Sequence, residues 1–188
     1  RDSFRRLREL YALNPKTLLF RALRDLWDAD VDAQPLLALL CACARDPLLR
    51  STADVILATP EGAPVTPQMI AHAAEAAFSG RYNPTSLANI GRHAASTWQQ
   101  SGHLAGRLQK VRTHAACRPA DLAYALLLGH LCGARGNALF LTLWSQLLDA
   151  PEHTLHEQAT VASQQGWIDY RAAGAVQDVA FSYLLRNS

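Results

Sequence analysis

The sequence predicts a mainly α-helical protein in which short β-hairpins follow some of the helices. Asn, Asp or Thr followed by proline recurs along the chain, and such a pair places a capping side chain directly before the first helical residue. After these pairs the apolar residues recur at intervals of three and four, the spacing of a helix with one buried face. With 49% hydrophobic and 18% charged residues, the 188-residue chain is apolar enough to bury a core.

The capping pairs and the apolar spacing place the helices. The pairs are Asn14-Pro15, Asp46-Pro47, Thr66-Pro67 and Asn83-Pro84. The predicted helices lie near 3–12, 15–28, 34–44, 47–58, 67–78, 84–101, 119–133, 136–149 and 152–165. The loop 59–64, Thr-Pro-Glu-Gly-Ala-Pro, is the best internal boundary. We therefore predict an N-terminal helical bundle over 1–60, a middle unit over 61–118 and a C-terminal helical unit over 119–188.

The net charge of +2 hides a strong asymmetry between these units. Residues 61–118 carry a net charge of +4, residues 119–188 carry −3, and no Asp or Glu occurs between Glu75 and Asp121. A long stretch of one sign creates a local positive potential, for which phosphate is the commonest partner. The alternative is a basic surface paired with the acidic C-terminal third, within the chain or across a dimer.

Two helices separated by a short turn form the centre of the basic segment. Residues 67–78 and 84–101 are joined by the turn 79–83, which is typical of a helix-turn-helix. The second helix has an apolar face: Leu87, Ile90, Gly91, Ala94, Ala95 and Trp98. Its opposite face carries hydrogen-bonding side chains and no acid: Thr85, Ser86, Asn89, Arg92, His93, Ser96, Gln99 and Gln100. A helix in the DNA major groove needs such a face, because the phosphates on both walls repel acids.

A basic hairpin is predicted to follow this helix over residues 103–114. Such a hairpin is the wing of a winged helix, although an ordinary basic loop is the open alternative. The helix at 152–165 is likewise followed by two predicted strands, 167–171 and 175–181, which makes a second and more acidic wing plausible. The predicted fold is therefore a helical bundle with one or two winged-helix or helix-turn-helix-like units and short β-hairpin wings.

The predicted site is a surface for double-stranded DNA. The residues expected to hold phosphates are Arg81, Arg92, Arg107, Lys110 and Arg112. Those expected to face the groove are Ser86, Asn89, His93 and Ser96, and Thr85 is counted with them in the DNA-binding site. Because the cations outnumber the likely base readers, we expect binding to be largely sequence-tolerant.

Catalytic and metal-binding motifs are not predicted. The chain has no phosphate-binding glycine loop, no Gly-x-Ser-x-Gly and no His-Glu-x-x-His. The possible metal ligands His114, Cys117, His130 and Cys132 have a spacing that is unfamiliar for zinc, and the last two are expected in the core. We predict neither an enzyme nor a bound metal or cofactor.

Cysteine usage and hydropathy suggest a cytoplasmic protein. The four cysteines show no secreted-domain pattern, so reduced thiols are the simpler interpretation. The longest apolar run, residues 35–44, is shorter than the roughly 20 residues of a spanning helix. The four tryptophans fall on or beside apolar stripes, which predicts core packing.

The layout of residues 34–128 resembles the BrxA family of BREX phage-defence systems. The likeness rests on the Leu-rich helix pair at 34–58, a proline-capped helix, and a glycine-ended polar helix reading Asn-Pro-Thr-Ser-Leu … Ser-Thr-Trp-Gln-Gln-Ser-Gly-His-Leu. The resemblance implies binding of double-stranded DNA through 84–101 and 103–114, and partners among other defence-system proteins. An adaptor that docks an acidic protein, or a helical RNA binder, stays open as an alternative.

Overall fold

A computed structural model describes residues 17–174 and 176–186. The chain is mostly helical and carries one three-stranded and one two-stranded antiparallel sheet. The predicted helix 3–12 and the Asn14-Pro15 cap lie outside the described residues. The other predicted helical segments all contain helix, although two of them are divided.

The described helices and strands follow one another in a simple order. The helices are α1 (Leu18–Trp27), α2 (Gln34–Arg45), α3 (Pro47–Arg50), α4 (Ala53–Leu57), α5 (Pro67–Ala77), α6 (Pro84–Gln100), α7 (Pro119–Leu131), α8 (Leu143–Gln146) and α9 (Glu152–Gln164). Short 3₁₀ helices occur at Val31–Ala33 and Gly136–Leu141. The strands are β1 (Pro64–Val65), β2 (Leu104–Ala105), β3 (Lys110–Arg112), β4 (Asp169–Ala173) and β5 (Val176–Ala180).

Three of the predicted caps are confirmed. The side chain of Asp46 accepts a hydrogen bond from the Leu48 N–H at 2.9 Å. Thr66 and Asn83 do the same for the backbone N–H groups three residues later, at 3.2 and 2.8 Å. Each bond satisfies one of the free N–H groups in the first turn, and so fixes where α3, α5 and α6 begin.

Two predicted helices are interrupted. The segment 47–58 divides into α3 and α4 at Thr52, whose hydroxyl donates to the Leu49 carbonyl at 2.7 Å and competes with the helical backbone pattern. The segment 136–149 begins as a 3₁₀ helix, and Thr142 then starts the short α8 as its N-cap. Local hydroxyl bonds therefore overrode the apolar spacing in both places.

The three-stranded sheet has the order β1-β3-β2, with both pairs antiparallel. The predicted hairpin at 103–114 is confirmed as β2 and β3. Strand β1 was not predicted, because Pro64 ends the segment 59–64 interpreted as a boundary loop and Val65 directly follows it. Helices α5 and α6 come between β1 and β2 in the chain, so β1 pairs with a strand that follows the helix pair. The predicted second hairpin is also confirmed, as β4 and β5.

One contiguous hydrophobic core joins residues from all three predicted units. Its centre is α7, in which every residue from Ala120 to Gly129 is buried, as expected for a helix packed on all sides. Trp98 and Trp144 are buried, and Trp27 and Trp167 pack against the core, which confirms the predicted role of the tryptophans. The boundaries near residues 60 and 118 stay predictions. Over the described ranges, every helix is too short or too polar to cross a bilayer.

Candidate nucleic-acid interface

Helix α6 is held in place by an unusually close crossing with α5. A Cβ atom added at Gly91 would lie 2.1 Å from the Pro67 carbonyl oxygen and 3.1 Å from the Ala71 side chain, so only glycine fits. Gly91, Ala94, Ala95 and Trp98 are buried, and the Trp98 indole N–H donates to the Thr52 hydroxyl at 2.8 Å. These contacts turn one face of α6 inward and leave the opposite face to solvent.

The predicted groove-facing residues lie on the outer side of α6. Thr85, His93 and Ser96 are exposed, and Ser86 and Asn89 are half-buried. The exposed Arg92 guanidinium donates to the Asn89 side-chain oxygen one turn earlier. This face offers hydroxyl, amide, imidazole and guanidinium groups, and α6 contains no carboxylate.

A straight polar stripe runs along this face towards the sheet. Residues seven apart on a helix differ by only about 20° in direction, so Thr85, Arg92 and Gln99 lie nearly in line. From Thr85 to Gln99 the stripe extends roughly 21 Å along the helix axis. Its C-terminal end lies where the β2–β3 hairpin begins.

Gln99 connects α6 to both arms of the hairpin. Its side-chain N–H donates to the Gly106 carbonyl at 3.1 Å, just after β2. Its side-chain oxygen accepts from the Lys110 ammonium, at the start of β3. The hairpin therefore continues the polar face of α6, and it adds the exposed Arg107 and the half-buried Lys110 to that surface.

Arg81 lies in the turn that leads into α6. Its exposed guanidinium sits 5.8 Å from the centre of the Phe78 ring and 5.9 Å from that of Tyr82. Glu75, the nearest acid in sequence, accepts a hydrogen bond from the Gly80 N–H at 3.0 Å and forms no ion pair within the described ranges. Arg81 thus adds a charge that no described carboxylate neutralises, at the opposite end of α6 from the hairpin.

Four of the five predicted phosphate-binding cations share this property. Among residues 17–174 and 176–186, no carboxylate lies within ion-pair distance of Arg81, Arg92, Arg107 or Lys110. The acid-free stretch of sequence is therefore also a surface with four positive charges that no carboxylate of the described residues pairs. Such a surface attracts anions more strongly than one of mixed sign.

The fifth predicted cation, Arg112, is a correction. Its side chain is buried at 2% exposure and faces the interior from the central strand of the sheet. The guanidinium binds both carboxylate oxygens of Asp149, at 2.6 and 2.8 Å, and donates to the Ile56 carbonyl at 2.8 Å. Arg112 is fully occupied within the protein, so the prediction that it holds a phosphate is wrong.

Asp149 comes from the acidic C-terminal third and completes this buried pair. Burial acts to raise the pKa of its carboxyl, but the hydrogen bonds and charge of Arg112 outweigh burial, and the pKa lies below its ordinary value. The Asp149 carboxylate also accepts from the Ala115 N–H at 3.1 Å. The sequence left open that the basic surface pairs with the acidic C-terminal third instead of binding phosphate. For Arg112 this alternative holds.

Arg118, the last cation of the basic segment, is also neutralised within the chain. It forms ion pairs with Asp32 at 2.7 Å and with Asp30 at 3.5 Å, just before α2. The cations of 61–118 therefore divide into two groups. Arg112 and Arg118 join parts of the fold, and the other four lie on or beside the outer face of α6.

His103, at the start of the predicted hairpin, is an internal residue. Its imidazole packs edge-on against Trp98, with ring centroids 5.0 Å apart. Nε2 lies 3.0 Å from the Leu147 carbonyl and must donate to it, while Nδ1 lies 2.9 Å from the Ser101 hydroxyl. Burial lowers the pKa of His103 to about 4, so the neutral ring is part of the packed core near pH 7.

The possible metal ligands of the sequence are dispersed. Within the described part of the chain, no three His, Cys, Asp or Glu side chains converge in a metal-binding arrangement. Cys132 is exposed, which corrects its expected place in the core, and His130 is half-buried against Phe181. Cys132 lies just beyond the end of α7, where the helix leaves the core.

Sequence reasoning missed the bridging role of Gln99 and the partner of Arg112. Gln99 was placed on the polar face together with Gln100, and its seven-residue spacing from Arg92 was the available signal. Asp149 is 37 residues away from Arg112 in the sequence, and no local pattern joins them. Comparison of the chain with protein-family models, curated proteins and solved structures finds no match.

Proposed function

We propose that this protein is a non-enzymatic double-stranded-DNA-binding protein whose residues 53–112 form a winged helix. The order α4, β1, α5, α6, β2, β3 with the sheet order β1-β3-β2 supports this assignment, because winged helices place a helix pair between the first strand and the hairpin. In this assignment α6 is the recognition helix and the β2–β3 hairpin is the wing.

The observation that carries the proposal is the set of four unpaired cations beside an acid-free polar face. A solvated helix usually mixes acids with bases, because pairs three or four residues apart are mildly stabilising. The face of α6 instead combines Arg92 and His93 with amides and hydroxyls, which can meet base edges or phosphate oxygens. Phosphates on both sides of a groove would supply the missing negative charge.

The proposed docking follows from the dimensions of the unit. Helix α6 has 17 residues and is about 25 Å long, so it can lie in a major groove about 12 Å wide. Arg81 and the hairpin lie at opposite ends of this helix, where each would meet a phosphate backbone. Asn89, His93 and the short hydroxyl side chains would face the bases, while Arg92 would join the other three cations on phosphates. We therefore propose low sequence selectivity.

A salt titration on duplex DNA tests the proposal. Four phosphate contacts give a slope of log affinity against log salt of about −3 to −4. The double variant Arg107→Ala, Lys110→Ala removes two contacts and should flatten that slope by about 2. The matched control is Arg171→Ala, which removes an exposed arginine from the other hairpin and should leave the slope unchanged.

Two results would count against DNA binding. Equal slopes for the parent protein and the double variant would mean that these cations contact no phosphate. A parent protein that binds neither duplex nor single-stranded DNA at low salt would favour the adaptor, whose basic face docks an acidic protein. Tighter binding to single-stranded RNA than to duplex DNA would favour the RNA-binding alternative.

We also propose that the protein serves a bacterial phage-defence assembly of the BREX type, with other defence-system proteins as partners. The resemblance of residues 34–128 to the BrxA family supports this part. Loss of phage protection in cells that carry the double variant, together with the flattened salt slope, would connect the assembly role to the surface on α6.

A further inference from the structure

The tip of the β2–β3 hairpin carries a leucine that is almost entirely in solvent. Leu108 is 97% exposed, the highest value among the large hydrophobic side chains of the described residues. It belongs to the four-residue turn from Gly106 to Gln109, whose other members are also exposed. A fully hydrated leucine gains none of the stabilisation that burial gives, so a partner that covered Leu108 would gain affinity from its burial.

The turn below Leu108 is closed tightly. Gly106 has a φ of +103°, and a Cβ atom there would lie 2.1 Å from the Gln109 carbonyl oxygen. Gln99 binds both arms of the hairpin just beneath, through Gly106 and Lys110. The tip is therefore held at a fixed place relative to α6, and Leu108 points away from the protein's own core.

The surroundings of Leu108 restrict the kind of partner. Arg107 precedes it, Lys110 follows two residues later, and neither has an ion-pair partner in the described ranges. A surface that offers a narrow apolar slot between two rows of negative charge would match this tip. Stacked bases between the phosphates of a duplex have this arrangement, and leucine is among the side chains that proteins insert between base steps.

We propose that Leu108 is a wedge that enters a base step of duplex DNA from the minor groove and partly unstacks it. The proposal rests on the DNA-binding function proposed above. With α6 in the major groove, the hairpin crosses the backbone beside it, and Arg107 and Lys110 hold the flanking phosphates. The preferred substrates are duplexes that unstack at low cost, such as those with a TpA step or a mismatch.

The experiment uses a duplex that carries 2-aminopurine next to a central TpA step, because the fluorescence of this base rises when it unstacks. The parent protein should raise the fluorescence, and Leu108→Ala should abolish the rise and weaken binding about tenfold. The salt slope of Leu108→Ala should equal that of the parent, because no charge is lost. Leu108→Met keeps a long apolar side chain and should retain the fluorescence rise.

A matched control separates the wedge from general apolar surface. Leu141 is 66% exposed on the 3₁₀ helix of the C-terminal third, and Leu141→Ala should change neither fluorescence nor affinity. A second duplex with one mismatched pair at the TpA step should bind the parent several-fold more tightly than the matched duplex. Leu108→Ala should bind both duplexes equally, since it no longer gains from easy unstacking.

The outcomes distinguish this inference from the function on which it rests. Binding with the expected salt slope but unchanged fluorescence overturns the wedge and leaves the DNA-binding proposal standing. Absence of any duplex binding overturns both. Leucine-dependent binding to vesicles of phosphatidylserine and phosphatidylcholine, without unstacking of DNA, overturns the wedge in favour of a lipid surface.

Discussion

Two regions of the molecule share the same local construction. Helix α6 leads into the β2–β3 hairpin, and helix α9 leads into the β4–β5 hairpin. Both helices end in a glycine of positive φ, Gly102 and Gly166. In both, the glycine N–H bonds the carbonyl three residues back and the next N–H bonds the carbonyl five back, which is the Schellman pattern.

The side chain three residues before each glycine also plays the same part. Gln99 binds the Gly106 carbonyl, and the Ser163 hydroxyl accepts from the Tyr170 N–H at 3.1 Å. In both regions the backbone group that is held comes four residues after the glycine. The end of each helix therefore positions its hairpin by a side-chain hydrogen bond at the same place, which Gln99 donates and Ser163 accepts.

The two regions differ in what covers the helix face beside the hairpin. Ten residues before the glycine, α6 has the exposed Arg92 and α9 has His156, whose side chain is 22% exposed. The His156 ring lies 4.4 Å from that of Phe140, and its Nδ1 is 3.0 Å from the Tyr170 hydroxyl. Large side chains close the face in the acidic region, whereas α6 keeps its face open. The same construction thus serves internal packing in one place and an accessible surface in the other.

The largest effect on stability should come from breaking the Arg112–Asp149 ion pair, which joins the basic segment to the acidic third of the chain. Asp149→Asn keeps a residue that tolerates the positive φ of 56° but leaves the buried Arg112 without a counter-charge. We expect a loss of about 3–5 kcal/mol in the free energy of unfolding, measured by urea denaturation.

Arg118→Ala is the control for this prediction, because it breaks a partly exposed pair and should cost less than about 1 kcal/mol. A loss at Asp149→Asn as small as that of the control would mean that Arg112 needs no partner.

The next largest effect is a pH dependence of stability. It arises from the residue that follows the glycine, which is His103 after α6 and the non-titrating Trp167 after α9. Because the folded pKa of His103 is lowered to about 4, the unfolded state takes up a proton first as the pH falls. The contribution of neutral His103 is complete above pH 6.5 and is lost between pH 6.5 and about 4, a change of about 3 kcal/mol.

The measurement compares the parent with His103→Gln at several pH values. Burial raises the pKa of Asp121 to about 8, so that carboxyl contributes with the opposite sign, stabilising the fold as the pH falls from 8. It is present in both proteins and cancels in the difference. A difference that stays constant from pH 7 to pH 4.5 would contradict the assignment to His103.

The smallest effect on stability sharpens the contrast at the equivalent helix positions. His156→Ala should lower the free energy of unfolding by about 1–2 kcal/mol, because it removes ring packing and a hydrogen bond, and duplex affinity should not change. Arg92→Ala should change stability by less than about 0.5 kcal/mol but weaken duplex binding about fivefold to tenfold. Denaturation and DNA titration check both variants. A loss of duplex affinity in His156→Ala, or a loss of stability without a loss of affinity in Arg92→Ala, would contradict the assignment of α6 as the accessible face and α9 as the packed one.

The parts of the fold that local chemistry controls could be predicted. Asn83-Pro84 and Gly102 marked both ends of α6 because a capping side chain and a positive φ act within a few residues. Strand β1 could not be predicted, since its two residues gain strand geometry only by pairing with β3.

In the candidate site, too, local features could be predicted and long-range contacts could not. The face of α6 followed from helical spacing, which is a local property. Arg112 was misplaced because Lys110 and Arg112 point to the same side of β3, and only the three-dimensional fold brings Asp149 and the Ile56 carbonyl to that side. Charge patterning alone does not distinguish an arginine on the surface from one that holds the core together.

Helix α7, enclosed on every side, has a consequence for synthesis of the chain. Until residues 119–131 have left the ribosome, the part of the chain that precedes them lacks the helix at the centre of the core, and the apolar surfaces that pack on that helix stay uncovered. We therefore expect the nascent chain to depend on chaperones until that central segment has emerged.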